Sequence, residues 1–389
     1  MNLRHVPRSL LRIGVGFGFF AICSFVLYEA RRAEGQPASR PASVPATRPV
    51  RSEGEPMRYR ALSIQLYNYH HAREIYRGYL EEIAGIGANA VKLVAHAYQE
   101  HAGSNNIYMD FRAMPTPEQW AEVLGHCRRL GLATIMMPTV QLTGPRGNEW
   151  RGRIRPGDWD RWWSDYRDVV LYLADVAQAN GVDVLIVGSE LISTEADGDR
   201  WKRLIGEVRT RYRGRIAYSA NWDHYDKLPF LDDLDYIGMT SYYSLTSAVR
   251  ASAPAVDELV KAWEPIRAKI LDFHARRGKP ILFTEMGYCS QHGTTTNPWN
   301  YYLKDRSSPE GLAEQANAYA AFLQVFGDRP EVAGICVWDW YGPGGEEEAG
   351  YTPRGKPAEQ VLRGWLESQR EMGRSAGHGV ADSQPGLDD

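Results

Sequence analysis

The chain has 389 residues, 43% hydrophobic and 24% charged, which is the balance of a packed globular protein and excludes a disordered or fibrous one. With 45 basic against 48 acidic side chains the formal charge is −3, so there is no cationic excess to neutralise a nucleic-acid backbone, and no nucleic-acid partner is expected. Cys23, Cys127, Cys289 and Cys336 form neither a CxxC pair nor a Cys/His cluster at ligand spacing, which argues against a zinc module or a disulfide-stapled scaffold.

The chain opens with Arg4, Arg8 and Arg12, followed by an uncharged run over residues 13–28 and a return of charge at Arg31 and Arg32. Residues 1–32 therefore read as an export signal or membrane anchor, the apolar run being shorter than the ~20 residues of a full span. Tyr28-Glu29-Ala30 lacks a small-x-small cleavage pattern, so an uncleaved anchor is the expectation, and Ile22 before Cys23 argues against lipid attachment. Residues 33–57, rich in Pro, Ala, Ser and Arg, lack the apolar side chains that would offset ordering and read as a linker. The body is thus expected to be exported, either tethered to the membrane or secreted, and to be a monomer.

From residue 58 to 370, short β-rich apolar runs alternate with longer amphipathic ones. Strands are predicted at 61–66, 90–95, 133–139, 182–188, 216–219, 234–240, 280–284 and 332–338. Helical patterns run between them, among others at 73–86, 116–130, 159–179, 201–212, 256–276, 312–326 and 357–367. Thr116-Pro117-Glu118 supplies an N-cap hydroxyl, a proline at the first helical position and an early acid, and Gly131 and Gly181 stand where helices should end. Eight such units point to a (β/α)8 TIM barrel; an open doubly wound sheet is the alternative, but no glycine-rich fingerprint follows the first strand. Residues 371–389 read as a disordered tail. Cys127 falls in a helix and Cys336 in a strand, where buried free thiols are expected.

In such a barrel the reactive groups stand at the C-terminal ends of strands. Glu190 ends the fourth predicted strand and Glu285 the seventh, each directly after apolar residues, in a place where an idle carboxylate is costly. Three βα units separate them, which sets them facing across one opening. Two such acids can divide labour, one donating a proton to a leaving oxygen while the other stays ionised, and that division is glycoside hydrolysis. The competing reading pairs each glutamate with a lysine at the rim. Asn221 and Trp222 close the fifth strand within reach of a ligand. Lys92 and His96 share one face of the second strand; if that face is the barrel interior, His96 either approaches the ligand or is satisfied inside the mouth. The loop of Gly344, Gly345, Glu346, Glu347 and Glu348 reads as a solvated turn, and neither a metal nor a cofactor is called for. The 12 Trp and 22 Tyr against 10 Phe suit either a large core or surfaces that stack on hydroxyl-rich ligands such as sugars.

Several segments carry a more specific signal. They are Trp162-Trp163-Ser164-Asp165-Tyr166, Gly188-Ser189-Glu190-Leu191, Ser219-Ala220-Asn221-Trp222-Asp223, Asp235-Tyr236-Ile237-Gly238, Phe283-Thr284-Glu285-Met286-Gly287-Tyr288, and Trp338-Asp339-Trp340 with Gly355-Lys356-Pro357. With these the chain resembles glycoside hydrolase family 113, a (β/α)8 family of clan A whose members are mainly β-mannanases. The resemblance implies that Glu190 is the general acid/base and Glu285 the nucleophile of a retaining β-glycosidase acting on mannan-like polysaccharide or oligosaccharide. It also implies that Trp338 lies beneath the sugar being cleaved and that Tyr242 holds Glu285 ionised. Ser189 departs from the pattern, since the clan places Asn before the acid/base to donate to the sugar's 2-hydroxyl. A shorter hydroxyl there leaves that task to Ser189 with a bridging water, or to another group such as Asn221. The alternative function is a barrel that binds glycan or serves in an envelope assembly without hydrolysing anything.

Overall fold

A computed structural model describes residues 57–301 and 307–381, with side chains as far as residue 375. The expected anchor over 1–32 and the linker over 33–57, apart from Met57, lie outside the described residues, as do 382–389. Among the described residues no helix is long and apolar enough to cross a membrane.

The elements alternate as β1 (Tyr59–Gln65), α1 (Tyr69–Gly85), β2 (Ala90–Gln99), β3 (Tyr108–Met109), α2 (Pro117–Arg129), β4 (Ala133–Leu142), α3 (Trp159–Asn180) and β5 (Val184–Ser189). They continue with α4 (Ile192–Glu195), α5 (Gly198–Arg211), β6 (Arg215–Ser219), β7 (Ile237–Thr240), α6 (Val256–Arg277), β8 (Ile281–Met286), α7 (Pro309–Phe326), β9 (Val332–Val337) and α8 (Pro357–Ala381). The strand order is β6-β5-β4-β2-β1-β9-β8-β7, every neighbouring pair parallel, with β3 added antiparallel to β2. Eight parallel strands so ordered form a nearly closed (β/α)8 barrel. The seam between β6 and β7 is bridged at Ala220 and Met239, where Ala220 N–H donates to Gly238 O at 3.2 Å and Thr240 N–H to Ala220 O at 2.9 Å. Gly238 is what lets the seam close, because a Cβ there would stand 2.2 Å from Tyr218 O.

Alternation along the strands sorts two cores. Ala61, Ala90, Val94, Ile135, Met137, Val184, Ile186, Ala217, Leu282 and Cys336 fill the barrel, while residues of the opposite parity, such as Leu62, Val91, Leu93, Met136 and Leu185, pack outward against the helices. α3 shows why these helices form: Trp162, Tyr166, Val169, Leu173 and Ala177 recur at helical spacing and are all buried. α2 begins with the capping box that its sequence announced, Thr116 Oγ1 accepting from Gln119 N–H and Gln119 Oε1 accepting from Thr116 N–H. Gly131 and Gly181 take left-handed conformations at helix ends. Cys127, Cys289 and Cys336 are buried free thiols.

Two expectations change. β2 and β4 run several residues beyond their predicted ends, to Gln99 and Leu142, because they pair continuously over that length. The helix predicted at 357–367 continues to Ala381, so the tail expected from 371 starts as helix; extending an existing helix adds one hydrogen bond per residue fixed, with no new nucleus needed.

Candidate active site

Both glutamates lie where their strands slip register. Between Ile186 and Ser189, β5 uses three steps against two on β6. A Cβ on Gly188 would meet Trp201, Tyr166 and Tyr218 of the outer core, so Val187 and Gly188 both face outward and Ser189 turns inward. Glu190 then takes a left-handed φ of 53°, unusual for a residue with a side chain. On β8 the extra residue lies between Phe283 and Met286, where pairing with both β7 and β9 slips. Strict alternation from the inward Leu282 would send Glu285 outward; the bulge turns it into the barrel mouth.

Glu285 is almost completely buried, and its backbone carbonyl accepts from Ser241 N–H at 2.9 Å and Ser241 Oγ at 3.0 Å. Tyr242 Oη donates to Glu285 Oε2 at 3.0 Å, and Lys92 Nζ stands 3.8 Å from Oε1. Lys92 shares parity with Ala90 and Val94, so the face it occupies with His96 is the barrel interior. It has no exposed surface, donates to Thr284 O at 2.6 Å and lies 4.7 Å from the centre of the Trp338 ring. Its proton affinity is lowered by burial, against the pull of Glu285. Lys92 is thus held inside the barrel between Thr284 O, Glu285 and the Trp338 ring.

Glu190 also sits in a buried setting. Burial pushes its pKa up to about 7, opposed by the Arg151 guanidinium and assisted by the negative charge of Glu285. Arg151 Nη2 donates to Glu190 Oε2 at 2.6 Å, and the Thr240 hydroxyl also bonds the carboxylate. Arg151 belongs to a short 3-10 turn, Arg151–Arg153, in the loop between β4 and α3. Nothing in the sequence singled it out, because that loop also carries Arg146, Arg153 and Arg155.

The other expected residues divide into those that meet the glutamates and those that do not. Tyr242 reaches Glu285 as the resemblance implied. Trp338 directly follows β9, half-buried beside Lys92, and is joined to Asp339 by a cis peptide bond. Ser189 has no exposed surface and its hydroxyl has no hydrogen-bond partner. Asn221 directs its amide to Asp223 Oδ1 at 2.5 Å. His96 is held inside the mouth: its Nδ1 lies 2.8 Å from Thr139 Oγ1 and its ring stacks on Tyr67 at 4.1 Å, while burial pushes its pKa down to about 3, helped by Arg151. Trp222 N–H donates to the Thr240 hydroxyl that bonds Glu190, and its ring lies nearly parallel to that of Trp299, 6.1 Å away and 45% exposed. Opposite, Tyr67 Oη donates to Gln65 Oε1, Gln65 Nε2 donates to Asp339 Oδ2 at 2.7 Å, and the exposed Tyr341 meets Tyr67 edge-on. Burial pushes Asp339 up to about 6. The loop after β9 is more than a solvated turn, since Glu348 is gripped by the buried Lys356 Nζ at 2.6 Å.

The barrel mouth thus holds two carboxylates, one contacted by a tyrosine and a lysine and the other with its pKa pushed up to about 7, with aromatic rings nearby of the kind that stack on sugars. The solved structure of the GH113 β-mannanase AaManA from Alicyclobacillus acidocaldarius is similar at 25% identity and a TM-score of 0.70, covering 81% of this chain and 98% of that one. A GH113 β-1,4-mannanase structure matches at 24% identity and a TM-score of 0.69, over 81% and 99%. A family 5 mannosidase from Rhizomucor miehei shares the fold at 14% identity and a TM-score of 0.54, over 83% and 95%. No curated protein sequence matches the chain. The model of Glycoside Hydrolase Family 113 matches residues 67–352, well over half of the sequence, and the chain belongs to that family of glycoside hydrolases.

Proposed function

We propose that the protein is a retaining β-glycosidase that cleaves β-mannan-type polysaccharide or its oligomers by double displacement, with Glu285 as nucleophile and Glu190 as general acid/base. The observation that carries this reading is the different surroundings of the two acids. Glu285 accepts from the Tyr242 phenol and has Lys92 Nζ 3.8 Å away, whereas burial pushes the pKa of Glu190 up to about 7 against the pull of Arg151. In the first half Glu190 gives its proton to the glycosidic oxygen as the C1–O bond breaks and Glu285 bonds C1. In the second half a water gives its proton to the Glu190 carboxylate and bonds C1 as the bond to Glu285 breaks, which restores both groups.

Mannan as substrate is supported by what the similar GH113 structures are named for, and the rings on both sides of the glutamates suit a chain lying across the mouth. Export is part of the proposal and rests on Arg4, Arg8 and Arg12 ahead of the uncharged run.

Reducing-end release from mannan, glucomannan, xylan and β-glucan tests the function, with release expected from the mannose-containing polymers. Glu285→Ala should abolish it. Glu190→Ala should keep turnover of aryl glycosides whose leaving group needs no proton, and azide should accelerate that variant by replacing the base-assisted water. Release from no polymer, with glycan still bound, would favour a non-hydrolytic barrel.

A further inference from the structure

We propose that Arg151 is a positioning residue that keeps Glu190 ionised for the second half of the reaction, when that carboxylate must accept a proton from water. This rests on the acid/base role given to Glu190 above. The contact is a short charge-assisted one, Nη2 to Oε2 at 2.6 Å, between side chains only 22% and 8% exposed. Arg151 does not arrive on a loose loop. Glu149 Oε2 accepts from Ala102 N–H at 3.1 Å and Arg146 N–H at 3.0 Å, and Arg155 N–H donates to Ala102 O at 2.7 Å. The Trp150 ring also covers Gly152 so closely that a Cβ there would lie 2.5 Å from it. The guanidinium is thus built into place, and its Nε is buried with no partner, as suits a group held for its charge on one acceptor.

The charges around Glu190 leave Arg151 a distinct task. From β8, Glu285 opposes a second negative charge until it bonds the sugar; from the end of β7 Thr240 supplies a neutral hydroxyl, and from the turn after it Tyr242 a phenol bonded to Glu285; from β2, Lys92 lies against Glu285, and His96 is kept neutral. Arg151 is the cation in contact with Glu190 among the described residues. After Glu190 has protonated the leaving oxygen, Glu285 is bonded to C1 and carries no charge, and burial is what would draw a proton back from solvent before water attacks. An ion pair opposes that return. Without it a larger share of the carboxyl would be protonated, and that share of the glycosyl-enzyme would wait for a base.

The test uses the full chain and a dinitrophenyl β-mannoside, whose departure needs no acid, so that loss of the glycosyl group from Glu285 limits turnover. In Arg151→Gln, kcat should fall on the acid side of the profile, by up to about tenfold for each unit by which Glu190 of the glycosyl-enzyme rises, about one unit or more for loss of a contacting opposite charge. It should recover towards the wild-type value at alkaline pH. A carboxyl-13C titration, with Glu190→Gln giving the assignment, should show Glu190 moved upward in Arg151→Gln and less so in Arg151→Lys, which keeps the charge. Should Arg151→Gln not fold, Arg151→Lys carries the test, with an intermediate displacement expected. A Glu190 titration that does not move, or a loss of kcat that is the same at every pH, overturns the proposal. If the wild type turns over no aryl mannoside although the titration moves, the glycosidase reading has failed, and the role proposed for Arg151 fails with it.

Discussion

An acid that gives up a proton in one half of a reaction and takes one in the other needs an affinity near the working pH. At Glu190 that balance is set by burial and Glu285 pushing upward and Arg151 pulling downward, with a result of about 7. Since the first half of the proposed reaction requires the protonated form, kcat/KM on unactivated oligosaccharides should fall as pH rises through about 7. Glu285, the nucleophile of the proposed reaction, accepts a hydrogen bond from Tyr242. Replacing Tyr242 by Phe removes a hydrogen bond to a charged acceptor, worth about 1.5–3 kcal/mol, so kcat should drop roughly 10- to 100-fold. Steady-state kinetics beside a thermal melt checks this; a loss of folding without a specific loss of kcat would contradict it. Glu190, Glu285, Tyr242 and Trp338 were legible because each stands in a recognisable strand-end segment. Arg151 was not, since a contact made across an irregular loop leaves no periodic trace and its neighbours are arginines too. The inward face of Lys92 could be read as parity but not as depth, which only the closed barrel supplies.

At the scale of elements, what turns the side chains is irregularity. All eight barrel strands could be read from short β-rich runs between amphipathic ones, and the caps of α2 followed from Thr116 and Pro117. The one-residue slips in β5 and β8 could not, because a bulge is a property of two strands and alternation read along either one sends Glu285 to the wrong face. Glycines separate these close approaches from ordinary helix surface. Gly238→Ala would drive a Cβ into Tyr218 O at the β6–β7 seam and should cost about 1–3 kcal/mol or more. Gly206→Ala, on the exposed side of α5 with nothing within 4 Å, should instead gain about 0.5–1 kcal/mol. Denaturant melts of the two variants check the contrast, and equal shifts in both would contradict the seam argument.

Across the whole molecule, the barrel is tied shut from its two ends as well as around its circumference. Met57 N–H donates to the buried Gln369 Oε1 at 2.7 Å, joining the start of β1 to α8, and β1 pairs with β9 to complete the ring on that side. This closure is what brings residues 190 and 285 to one opening, along with Lys92 from β2, Arg151 from the β4–α3 loop and Tyr242 from the turn after β7. The function proposed for that opening requires an intermediate in which the sugar is bonded to the protein, and such an intermediate leaves its mark in the stereochemistry of the product. Proton NMR of the first minutes of mannohexaose hydrolysis should show the β-anomer of the new reducing end accumulating ahead of the α-anomer, which then grows by mutarotation. An α-anomer formed first would contradict the two-glutamate double displacement.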